Sequence, residues 1–207
     1  MRGAPPIVAS RFPQQTSYDR LLGSESPLST MIDHLTELKK WVGEISPRAD
    51  EEEGVRMDQA VELIAKAFDV RLHEVAILGL TRDGQSLRFL APESLRNIGQ
   101  IPLSSGSALA AKSMREMRPE AVNHFHVVPH ASVFEGVPVA EDERAEPIQK
   151  IMSSPILLGS KALGVLQVSR KGKSPADAGP DFTPPQLREL KSISDALAPC
   201  LLLCAKE

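Results

Sequence analysis

The chain has 207 residues, 42% of them hydrophobic and 25% charged, a balance that supports one core-forming globular domain with extensions and excludes a fibrous or wholly unfolded chain. A net charge of -3 and an isoelectric point near 6.0 exclude the basic surface that nucleic acid or an anionic membrane demands, so neither is an expected partner. No apolar signal-peptide core opens the chain, no run is long enough to span a bilayer, and the only cysteines are Cys200 and Cys204, which together predict a cytoplasmic protein held by its core.

Residues 1–29 are polar and rich in proline and serine, without periodicity, and read as a flexible leader. Residues 30–49 predict an N-terminal helix, because Met31, Leu35, Leu38 and Val42 recur at helical spacing. The stripe is narrow, like a coiled-coil seam, so this helix must pack on the domain or serve as a dimerisation element. Residues 50–207 form the domain proper. Its first helix is expected over about 50–68, with Met57, Ala60, Val61, Ile64 and Phe68 on one face and an acidic start at the positive end of the helix dipole.

From residue 74 the period changes. Residues 74–81 are a nearly continuous apolar run and so a buried strand, Asp83-Gly84 is a hairpin turn, and residues 86–91 alternate Leu87, Phe89 and Ala91 against Arg88. Ile101-Pro102-Leu103 leads into Ser104-Ser105-Gly106-Ser107 and a short helix over 108–117. Residues 118–122 predict an edge strand, since Pro119 cannot donate to a ladder. The stretch 123–147 is irregular and carries three histidines, the profile of a functional loop. Residues 150–158 and 161–170 make a hairpin joined at Gly159-Ser160, and a loop over 172–181 precedes the last helix. There Thr183 is the N-cap, Pro184 the first helical residue and Gln186 the partner in a capping box, with Phe182 and Leu187 as a hydrophobic staple. Leu187, Leu190, Ile193, Leu197, Cys200, Leu201 and Cys204 line its buried face, and Pro199 is expected to kink or loosen its last turns.

Three segments, in this order and spacing, resemble the GAF domain family. Ile101-Pro102-Leu103 with Gly106 and Arg118-Pro119 is similar to the family's crossover. Ser154-Pro155-Ile156-Leu157-Leu158 followed by the run from Lys161 through Gly164-Val165-Leu166-Gln167-Val168-Ser169-Arg170 is similar to its hairpin. Phe182-Thr183 before an amphipathic helix is similar to its ending. The resemblance implies an α+β fold, GAF-like (PAS-like), with an antiparallel five- to six-stranded sheet. It further implies N- and C-terminal helices on one face, and a small-molecule cavity on the other under the irregular segment. Bilin carriers and free methionine sulfoxide reductases of this type need cysteines in the body of the domain, where this chain has none. The cyclic-nucleotide signature also fails, because Asp142-Glu143 falls too far beyond Phe134.

Candidate ligand-pocket residues are Arg88, Ser104, Ser105, Ser107, Asn123, His126 and Phe134. The serines precede a helix and could present hydroxyls and backbone N–H groups to an anion, or simply cap that helix. His124, His126 and His130 form the one cluster with metal-ligand character, and loop histidines near a pocket mouth are the simpler reading. Cys200 and Cys204, four apart among leucines, read as core residues. No P-loop, nucleophile elbow or zinc-protease motif is present. The expectation is a regulatory, signal-sensing domain rather than an enzyme, binding an unidentified small molecule non-covalently and relaying it through its outer helices. Its expected partners are a second copy of the chain and a signalling protein, and no motif names a cofactor. The alternatives are a ligand-free homodimerisation or interaction scaffold and a metal or haem protein using the histidines.

Overall fold

The computed structural model describes residues 36, 37, 40, 41, 53–127 and 146–204. Helix α1 (Glu53–Phe68) is followed by strands β1 (Val75–Leu80), β2 (Ser86–Ala91) and β3 (Gln100–Pro102), then helix α2 (Leu109–Glu116). Strands β4 (Glu120–Val122), β5 (Ile148–Leu158) and β6 (Lys161–Lys171) complete the sheet before helix α3 (Pro184–Cys204). The six strands lie in the order β3-β2-β1-β6-β5-β4, and every neighbouring pair is antiparallel. Beta4 is an edge strand, as Pro119 predicts; β3 is the other edge and pairs with β2 through Leu87 and Ile101.

Two apolar layers sandwich this sheet. Met57, Ala60, Val61, Ile64 and Phe68 of α1, with Leu190, Ile193, Leu197 and Leu201 of α3, bury themselves against Val75, Ile77, Met152, Leu166 and Val168. On the opposite face α2 and a single helical turn at Phe125–Val127 cover Ala76, Leu78, Leu87, Phe89, Ile151 and Val165. Strict alternation along the central strands sends one set of side chains to each layer, and each fully buried aliphatic contributes about 1.5–3 kcal/mol.

Three bulges break the alternation, one of them at Gln149, between the pairs Ile148–Lys171 and Lys150–Arg170. Ile77 pairs with Ala91 but Leu78 pairs with Phe89, so Leu90 is the extra residue. Ala91 therefore joins the outer-helix layer while Leu87 and Phe89 face α2, which corrects the single-face reading of β2. In the β5–β6 hairpin Ile156 pairs with Gly164 and Leu157 with Ala162, leaving Leu163 as the extra residue. Gly164 sits where no side chain fits: a β-carbon there would overlap the Leu78 carbonyl and lie 2.7 Å from Leu201 Cδ2. Gly84, at φ +69°, takes the left-handed position of the β1–β2 turn.

Helix α3 starts as its sequence dictates. Thr183 N–H donates to Gln186 Oε1 at 2.9 Å and Gln186 N–H to Thr183 Oγ1 at 3.5 Å, a reciprocal capping box. Phe182 is buried and Leu187 packs against the same layer. The helix continues through Pro199 to Cys204, with Pro199 exposed. Thr36, Glu37, Lys40 and Trp41 are helical, and Trp41 packs against the outer-helix layer while its Nε1 donates to Gln59 Oε1 at 3.1 Å. The stripe Met31, Leu35, Leu38 and Val42 and the leader lie outside the described residues. Among the described residues no helix is long and apolar enough to cross a membrane.

Candidate functional site

The α2 face is apolar except at its centre. Ser113 of α2 donates to Ser153 Oγ of β5 at 2.7 Å, and Gln167 Nε2 of β6 reaches the same hydroxyl at 3.3 Å; all three residues are buried. Beside this cluster the Ser104-Ser105-Gly106-Ser107 turn leads into α2. Ser105 Oγ accepts from Ala108 N–H at 3.1 Å, and Arg115 Nη1 donates to the Leu103 and Ser105 carbonyls at 2.5 and 2.9 Å. The hydroxyl of Ser105 is thus committed to the turn, while Ser104 and Ser107 are exposed.

Asn123 follows β4 and is half-buried. Its Nδ2 donates to the Phe182 carbonyl at 3.0 Å and its Oδ1 accepts the Phe182 N–H at 2.9 Å. A side-chain amide here mimics a backbone pairing and fastens the end of the crossover to the first residue before α3's cap. His124 and His126 are exposed, with ring centroids 6.5 Å apart in an edge-on arrangement. His130 and Phe134 lie outside the described residues. Among the described residues no cluster of three His, Cys, Asp or Glu side chains could hold a metal ion.

Arg88 is set apart from these residues. It alternates to the outer-helix face, opposite Gly79, and lines a cavity of about 760 Å³ at the hairpin end of the sheet, together with Leu163 and Leu201. Among the described residues, none of the serine, asparagine or histidine candidates lines that cavity.

A set of buried ionic groups lies along the outer-helix layer. Glu74 is buried between α1 and β6, where burial pushes its pKa up. Hydrogen bonds from the Arg71 side chain (2.9 Å), the Lys171 N–H (2.6 Å) and the Arg71 N–H (2.7 Å) outweigh that and hold it below the ordinary value. Arg170, lowered by desolvation against the pull of Glu74 and Asp69, donates to the Phe68 carbonyl at 3.1 Å and stacks 5.0 Å from the Phe182 ring. Lys150, buried, pairs with Asp181 at 2.8 Å and donates to the Gly179 carbonyl. Glu189 of α3 is buried with neither carboxylate oxygen hydrogen-bonded among the described residues, and desolvation raises its pKa to about 7. Reading the sequence missed these groups. The available sign was ionic residues inside elements otherwise read as core, at Lys150, Arg170 and Glu189.

The fold is similar to solved structures of known type. The GAF domain of an Acinetobacter phosphoenolpyruvate-protein phosphotransferase superposes with a TM-score of 0.58 at 17% identity, over 83% of this chain and 92% of that one. The GAF domain of a phosphoenolpyruvate-protein phosphotransferase from Coxiella burnetii gives a TM-score of 0.61 at 12% identity, over 86% and 95%. The free methionine-R-sulfoxide reductase from Neisseria meningitidis, solved with its substrate, gives 0.59 at 13% identity, over 87% and 93%. No protein-family model and no curated protein matches the sequence. At these identities the likeness is one of fold.

Proposed function

We propose that this chain, whose fold is GAF-like, is a regulatory module that binds a small molecule non-covalently on the α2 face and passes the event to its outer helices. The observation that carries the reading is the paired hydrogen bond between Asn123 and the Phe182 backbone, which makes the end of the crossover and the start of α3 one mechanical unit. A ligand that orders the surface around Ser104, Ser107 and His126 acts on Asn123 as the link and changes the restraint on α3 at its first turn. The Ser113–Ser153–Gln167 cluster supplies a polar centre under α2. The receiver of the message is another protein, or a second copy of the chain, engaging α1 and α3.

The same fold also serves a reductase, so an enzymatic role is the natural rival. This chain carries no cysteine between residues 1 and 199, and both of its cysteines belong to α3. That distribution favours binding over thiol chemistry on the α2 face.

The test is a thermal-shift screen with nucleotides, haem and common metabolites, followed by hydrogen exchange with any compound that stabilises. Ligand at a hundred times its Kd adds about 2.7 kcal/mol of stability by mass action. Exchange should slow around residues 120–127 and again in the first turns of α3. Asn123→Ala should keep the first effect and lose the second. A screen in which nothing stabilises the protein would leave the ligand-free scaffold as the better account.

A further inference from the structure

A second site stands on the opposite face, independent of the one proposed above. Its floor is made by departures from regular strand structure. Two bulged residues, Leu90 of β2 and Leu163 of β6, flank Gly79 and Gly164, which pair directly across β1 and β6. With no side chain on either glycine, Leu90 and Leu201 settle onto the bare sheet; a β-carbon on Gly79 would lie 2.8 Å from Leu90 Cδ1. Bulges re-aim side chains where a strand edge must shape a site. Here they surround an apolar floor within a cavity of about 760 Å³, the size of a small-molecule pocket.

The rim carries three cations against one anion. Arg82 in the β1–β2 turn, Arg88 on β2 and Lys161 at the start of β6 line the cavity, and none has a carboxylate or hydrogen-bond partner among the described residues. Asp83 is the one acid among the described lining residues. Its carboxylate accepts from Thr81 Oγ1 at 2.6 Å and from Gln85 N–H at 3.0 Å, which ties it to the turn, and the lining keeps a net positive charge. Converging cations over an apolar floor select a molecule with an anionic head and an apolar body. The N–H groups of Gly84 and Ser86 in the turn are spent on the Thr81 carbonyl and Thr81 Oγ1, so the cationic side chains and not a backbone nest are what the lining offers an anionic head.

We propose that this cavity binds a small amphipathic carboxylate, its head held by Arg88, Lys161 and Arg82 and its hydrocarbon or aromatic body lying on Leu90, Leu163 and Leu201. Leu201 belongs to the last turns of α3, so an occupant fixes the exit end of that helix.

Isothermal titration of the full chain with sodium octanoate, below its micelle concentration, tests this against 1-octanol and against an Arg88→Gln/Lys161→Gln variant. Both substituted residues are exposed, so the variant should melt with the wild type. The expected result is saturable one-to-one binding of octanoate that weakens at least fivefold in the variant, with octanol at least fivefold weaker than octanoate on the wild type. No saturable binding, or equal affinity of octanoate for both proteins, overturns the assignment. Equal affinity of the wild type for octanoate and octanol overturns the role of the cationic rim.

Discussion

Glu189 should make this protein less stable as pH rises through neutrality. Its side chain is 7% exposed, both oxygens lack hydrogen-bond partners, and burial lifts its pKa from 4.5 to about 7. The folded state therefore holds a proton that the unfolded chain has already released between those values. Stability from the neutral acid is complete below the unfolded pKa and is lost as pH climbs through about 7. At about 1.4 kcal/mol for each tenfold in proton affinity, the full interval is worth about 3 kcal/mol. Glu189→Gln keeps the shape and stays neutral. Urea unfolding from pH 5 to pH 8.5, extrapolated to water, should show the two proteins within about 1 kcal/mol at the acid end. At the alkaline end the variant should have gained about 2–3 kcal/mol over the wild type. Because all other titrating groups are common to both, the difference curve isolates this carboxyl. Parallel curves would mean that Glu189 is solvated or paired in solution, and would refute the reasoning.

Glu74 carries the opposite sign: its pKa is held down by Arg71 and the Lys171 N–H, so its stabilisation is present above the unfolded value and lost as pH falls through the folded one. Glu74→Gln should cost about 2–4 kcal/mol at pH 7, read from the urea midpoint, because buried N–H groups lose a charged acceptor. Thr183→Ala removes half of the capping box and should lower stability by about 1 kcal/mol, with faster exchange confined to the first turn of α3. Gly164→Ala forces a methyl into the Leu78 carbonyl, which side-chain repacking cannot relieve; a loss of about 3 kcal/mol or more in thermal unfolding is expected, and a near-neutral result would mean that β1 and β6 are further apart than described.

Elements fixed by neighbours in sequence were legible, and those fixed by distant partners were not. The capping box at Thr183 and Gln186, the apolar face of α1 and the hairpin turns at Gly84 and Gly159 all depend on residues within four positions of each other. The bulge at Leu90 is invisible in β2 alone, because it exists only as a two-against-one count with β1. Beta3 is three residues long, too short to show any alternation. Of the candidate site, the polar character of the serines and of Asn123 was legible but not their connections. Asn123 meets Phe182, which stands 59 positions away. Arg88 was grouped with the serines as a pocket residue. Alternation from Leu87 and Phe89 sends it to the other side of the sheet.

The coupling of the outer helices has a compact physical basis in one side chain. Arg170 projects from β6 into the outer layer. Its guanidinium meets the Phe68 and Asp69 carbonyls at 3.1 and 3.4 Å, where the negative end of the α1 dipole and its unpaired carbonyls favour a cation. The same guanidinium lies over the ring of Phe182, whose backbone is gripped by Asn123. The end of α1, the start of α3 and the end of the crossover therefore share a single charged contact, whose Nε has no hydrogen-bond partner among the described residues. Any displacement of Phe182 strips the cation of its aromatic face in a desolvated place, where a cation–π contact is worth about 2 kcal/mol or more. Movement at Asn123 cannot be absorbed locally at α3. It must either be resisted with that energy or be passed to the carbonyl end of α1, which is the step the proposed relay needs.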